Sequence, residues 1–125
     1  MPKSARALTD RLSRLFRYDT ALAEVASLGN GALDDVGITR DALARTVTAP
    51  GAVTDRMLVM AARHGVTADH LAGHTADVAG MVESCRSCAS VGACRAYLSD
   101  PAESPARAVF CPNHVTYDAL REGRR

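Results

Sequence analysis

From about Ser4 to Leu28 the apolar residues return every three or four positions. Placed about 100° apart, Leu8, Leu12, Leu15, Phe16 and Leu22 share one side, and Lys3, Arg6, Arg14 and Arg17 gather opposite. This predicts an amphipathic helix, ended by Gly29-Asn30-Gly31, whose residues tolerate the positive φ of a helix stop. Leu33, Val36 and Ile38 then mark a second unit in which Gly37 permits a sharp turn. Thr39 caps a short helix through about Val47, with Asp41 in its first turn. The stretch Thr46 to Val53, with Pro50-Gly51 inside it, is the expected boundary.

Beyond that boundary Thr54 is placed to cap a helix carrying Met57, Leu58, Met60 and Ala61, with Gly65 as its stop. Thr67 opens another, which carries Leu71, Val78, Met81 and Val82 and runs directly into Cys85. A short helix around Ala93 to Leu98 holds Cys94. A loop with Pro101 and Pro105 leads to Cys111-Pro112, and Asn113 caps a last helix ending near Leu120. The run of β-branched or aromatic residues that a sheet needs is missing. The expected fold is therefore all-α: a basic helical hairpin over residues 1–48, joined to a small helical module over 54–125 organised around four cysteines.

Composition explains why such a module needs help. Hydrophobic residues make up 47% of 125, but there is no Trp, only two Phe and three Tyr, and much of the apolar count is Ala. Ala buries little area, and units of about 50 and 70 residues often add a metal, disulfide or partner to their cores. Charge is uneven. Met1 to Arg17 has five basic residues against Asp10 alone, Tyr18 to Gly80 four Arg against eight acids, and the remainder six Arg against five acids. An anionic partner would meet the first helix. No apolar run approaches the roughly 20 residues that span a bilayer, and the N-terminus lacks a secretory pattern, so a cytoplasmic protein without a membrane role is expected.

In that compartment clustered thiols read as ligands sooner than as disulfides. Two residues separate Cys85 from Cys88, five separate Cys88 from Cys94, and sixteen separate Cys94 from Cys111. The first pair can turn both sulfurs to one ion, and four thiolates complete a tetrahedral site. Structural zinc sites of four cysteines usually have two short Cys-pair knuckles, and here there is one. Cluster ligation uses scattered cysteines more readily, and a proline after the last ligand, as in Cys111-Pro112, also occurs in bacterial ferredoxins. An iron–sulfur cluster is the preferred cofactor and zinc the alternative, with merely buried thiols as the third reading. Arg86 and Arg95 adjoin the cysteines and would offset thiolate charge.

Other candidates are weaker. His70 and His74 stand four apart on a predicted helix, a spacing that lets two imidazoles share an ion, but no acidic third ligand sits at a diagnostic offset, and they read as ordinary surface or core histidines. His114 is a replacement ligand or a donor to one, or simply a helix N-terminal residue. Arg6, Arg14 and Arg17 offer phosphate contacts to RNA, although the aromatic residues that stack bases are scarce. No phosphate-cradling loop, nucleophile elbow or paired-carboxylate signature supports an enzyme.

The stretch Leu33-Asp34-Asp35-Val36-Gly37-Ile38-Thr39-Arg40-Asp41, after an arginine-bearing helix, resembles the YjiS-like family of small arginine-rich bacterial proteins over about residues 10 to 48. That resemblance implies a helical hairpin and RNA binding. The region from Asp55 to Leu120 looks like an uncharacterised bacterial four-cysteine domain. It carries Arg63-His64-Gly65-Val66, the Cys85 and Cys88 pair, Cys94 before Tyr97-Leu98, and Phe110-Cys111-Pro112-Asn113. The expected function is a non-enzymatic metal-binding regulatory or adaptor protein, sensing redox or iron state and working with a protein partner. The alternatives are a small iron–sulfur electron carrier and a zinc-stabilised RNA-binding adaptor.

Overall fold

The computed structural model describes residues 19–124, and these form helices and turns without a strand. The basic face expected from Lys3, Arg6, Arg14 and Arg17 lies outside the described residues. The chain divides into two compact units, Met1–Thr48 and Ala49–Arg125.

In the first unit, helix α1 is described over 19–27, followed by α2 (Asn30–Val36) and α3 (Arg40–Val47). Gly37 closes α2 at φ 70°, its N–H turned back to the carbonyls of Leu33 and Asp34, a left-handed conformation that side chains with a Cβ resist. The Thr39 hydroxyl then accepts from the Ala42 N–H at 3.0 Å and starts α3. Val25, Leu33 and Ile38 are buried. Asn30, read from the sequence as part of a helix stop, instead begins α2. Its amide oxygen accepts from Arg40 at 3.2 Å, and the same guanidinium donates to the carbonyl of Val25 at 2.6 Å. A carbonyl at the end of α1 thus finds in Arg40 a donor from two helices away.

The second unit begins with α4 (Gly51–Arg63), three residues before the expected cap Thr54. The Pro50 carbonyl accepts from the N–H groups of Val53 and Thr54, so helical bonding starts there. Proline suits a helix start because the N–H that it lacks has no helical partner at that position. Gly65, at φ 75°, stops the chain as expected. The single helix expected from Thr67 to Cys85 is broken. A short α5 (Ala68–Leu71) and α6 (Thr75–Arg86) are separated by Gly73, at φ 80°. Then follow α7 (Val91–Leu98), a 3₁₀ turn at Pro105–Arg107, and α8 (His114–Arg121).

Helix α4 packs on α6, and α5 on α8. The core combines Met57 and Met60 of α4, Met81 and Val82 of α6, Tyr97 of α7, and Tyr117 and Leu120 of α8, together with Cys85, Cys94 and Cys111. Methionines suit so irregular an interior because their unbranched chains fit uneven gaps. Arg63, at the end of α4, donates to the carbonyls of Leu98 (3.1 Å) and Asp100 (2.8 Å) and lies over the Tyr97 ring at 5.6 Å, closing the end of α7. Among the described residues no helix is long and apolar enough to cross a membrane.

Candidate metal centre

Each cysteine is delivered by a different local device. Cys85 occupies the last turn of α6, and the turn that follows, in which the Cys88 N–H donates to the Cys85 carbonyl at 3.3 Å, presents Cys88. Cys94 lies within α7. Cys111 follows the 3₁₀ turn, its N–H donating to the Ala108 carbonyl at 3.0 Å and its own carbonyl accepting from the His114 N–H at 3.1 Å. All four are free thiols; Cys85, Cys94 and Cys111 are buried and Cys88 is partly exposed. They line one narrow cavity together with Arg56, Met60, Phe110, Pro112 and Tyr117. As they stand, no group of three or more His, Cys, Asp or Glu among the described residues is set to hold a single metal ion.

The surroundings are dry but not bare. Burial, followed by the neighbouring Cys111, pushes the Cys85 thiol from its ordinary 9.0 up to about 11. Burial and then Cys111 also raise Cys94, while Arg56 pulls both thiols downward. Cys111 is raised by burial, an effect opposed by the backbone N–H of Asn113. The Arg56 side chain is anchored on the Cys85 carbonyl at 3.2 Å. Two further N–H groups point at sulfur, that of Ser90 to Cys88 at 3.3 Å and the side-chain amide of Asn113 to Cys85 at 3.4 Å. Tyr117 is fully buried, its hydroxyl donating to the Met57 carbonyl at 3.3 Å, and burial raises its phenol well above the usual range.

Several expectations change. Asn113 was assigned the cap of α8, but it makes no side-chain cap bond. It is buried at 3% exposure, and its amide reaches across to the Met81 carbonyl at 3.0 Å as well as to Cys85. The cation at the cavity is Arg56, not Arg86 or Arg95: Arg86 meets Glu83 at 3.9 Å, and Arg95 is exposed. The one signal for Arg56 lay in its spacing, one helical turn before Met60 on the face that turns inward. His70 and His74 do not share a helix face. The His70 ring accepts from the Thr67 N–H at 3.0 Å in the cap of α5, and His74 stands before α6, 3.5 Å from Asp77. His114 opens α8 and does not line the cavity. His64 is buried instead, against Tyr117 with ring centres 5.1 Å apart and Nδ1 at 3.0 Å from the Met60 carbonyl.

A family model for proteins of unknown function matches residues 44–123, well over half of the chain and all four cysteines. No curated protein and no solved structure matches.

Proposed function

The chain belongs to DUF6455, a family of unknown function, and we propose that its second unit is a metal-binding module in which Cys85, Cys88, Cys94 and Cys111 hold an iron–sulfur cluster. The observation that carries this reading is the common cavity: four thiols from three structural segments face one space, with a guanidinium and N–H donors around them. Thiolates are soft donors, and N–H groups aimed at sulfur stabilise the negative charge that they acquire on binding.

Cysteine spacing favours a cluster over zinc: only Cys85 and Cys88 form a short knuckle, and structural zinc sites of four cysteines usually have two. A single zinc ion bonded to four thiolates at about 2.3 Å draws the sulfurs to roughly 3.8 Å from one another, with no open space between them. A single ion would therefore require the four sulfurs to draw together, because no group of three or more ligands among the described residues is set to hold one. Zinc remains the alternative.

The role that fits is non-enzymatic: a small regulatory or adaptor protein whose centre reports redox or iron state to a protein partner. Three sulfurs are buried and one reaches the surface, an arrangement suited to a centre that persists yet can be attacked from one side. Anaerobic purification with an absorption spectrum and analysis of iron, sulfide and zinc tests the assignment. A brown protein with near-equal iron and sulfide, lost on Cys→Ser substitution at any of the four positions, is expected. A colourless protein with one zinc selects the alternative, and absence of both metals after anaerobic purification and reconstitution rejects the module.

A further inference from the structure

A second, open groove adjoins the thiol cavity. Its floor and walls include Ser84, Ser87, Ala89 and Ser90 around the turn between α6 and α7, and its volume is about 590 Å³, counting the part open to solvent. Three residues line both spaces: Cys88, Phe110 and Pro112. The wall between groove and cavity is therefore one thiol flanked by two apolar side chains. The other three cysteines do not line the groove and are buried.

From this juxtaposition we propose that the groove is the access route by which small uncharged or soft reagents reach the four-thiol centre, with Cys88 as their first contact. Its ligand class is a thiophilic metal ion carried on low-molecular-weight thiols, or such a thiol arriving alone. No charged side chain lines the groove, so neither strongly anionic nor strongly cationic guests are selected. Hydroxyl groups surround the turn, and the Ser90 N–H donates to the Cys88 sulfur at 3.3 Å, which steadies that sulfur as a thiolate once it is released. Ligand exchange is chemically balanced without an oxidant. The incoming thiolate sulfur bonds to the metal as the bond from Cys88 breaks, and Cys88 leaves with the electron pair as the thiolate that the Ser90 N–H supports. The exchange part rests on the metal-binding reading; the order in which the thiols are reached does not.

The test begins with the reduced, metal-free chain and a limiting amount of iodoacetamide, with each cysteine mapped by mass spectrometry. Cys88 should be alkylated at least about tenfold faster than Cys85, Cys94 or Cys111, because the buried thiols must wait for a local opening. The variant Ala89→Trp places bulk in the groove at an exposed position outside the thiol cavity. It should slow Cys88 alkylation several-fold with an unchanged helical circular dichroism spectrum, and in the metal-loaded chain it should slow transfer to a small dithiol chelator by a similar factor. Equal labelling of the four cysteines, or labelling and transfer rates indifferent to Ala89→Trp, overturns the route. A chain that retains no metal sinks the metal-binding reading and the exchange step with it, while the alkylation order still decides the route.

Discussion

Asn113 is the residue on which the interior of the second unit turns, and its removal gives the sharpest test. Its side-chain amide donates to the Met81 carbonyl at 3.0 Å and to the Cys85 sulfur at 3.4 Å, from a position only 3% exposed. Truncation by Asn113→Ala deletes both bonds. A neutral hydrogen bond contributes about 1 kcal/mol net, and a bond to sulfur less. The void left by the amide adds about 1 kcal/mol, so a total loss of roughly 2–3 kcal/mol is expected. Asn113→Asp keeps the shape but reverses the chemistry: a carboxylate would face a carbonyl oxygen and a sulfur from a buried site, costing roughly 3–5 kcal/mol at pH 7. Burial raises the folded-state pKa of that carboxyl above its unfolded value. The Asp variant should therefore regain stability as pH falls through that raised pKa, whereas the Ala variant should not. The chain has no tryptophan, so urea unfolding of the reduced, metal-free protein is best followed by far-ultraviolet circular dichroism, comparing midpoints at constant slope. If both variants unfold within about 0.5 kcal/mol of the parent, the amide does not join α8 to α6 as described.

Three further outcomes follow from the same geometry. In the metal-free protein the Cys85 thiol keeps its proton up to about pH 11 while the unfolded chain loses it near 9.0, so the folded state binds more protons between these values. Stability should hold below the ordinary thiol range and fall as pH rises toward 11, with the raised Cys94 and Cys111 adding to the loss; a flat urea midpoint across that window would contradict it. Arg56→Gln removes the cation beside the thiols, so a bound cluster should be held less firmly and its reduction potential should become more negative, as read by chelator challenge and by electrochemical titration. Gly65→Ala forces a Cβ into a φ of 75° and brings it within 3.3 Å of the Arg121 side chain; a loss of about 1–2 kcal/mol is expected, and thermal unfolding unchanged from the parent would argue against the left-handed stop.

What could be read from the sequence was what is decided locally. Thr39, Gly37 and Gly65 act within three or four residues of themselves, and each does in the structure what its neighbours predict. Gly73 was read through, because a glycine inside a helical apolar pattern shows no break until the packing of Leu71 and Val78 is known. Thr54 lost its expected cap because Pro50 starts the helix earlier. Asn113, Arg56, Arg40 and Arg63 were misassigned or passed over for one common reason. Their partners are backbone carbonyls and sulfurs brought near by folding, and side-chain periodicity carries no signal for those. The clustering of the cysteines pointed to a shared enclosure, but how it is closed depends on three segments whose separation no spacing encodes.

The bonds from Arg63 to Leu98 and Asp100 restrict the approach of Cys111 to the other thiols. These carbonyls belong to the long excursion from Cys94 to Cys111, and fastening it partway converts one wide loop into two narrower ones. Closing shorter loops sacrifices less chain freedom, so the sulfur of Cys111 begins its approach from a restricted region of space. If the four thiols bind a metal as proposed, a guanidinium that touches none of them would help set the affinity, and loosening that fastening should weaken capture even with every sulfur left in place.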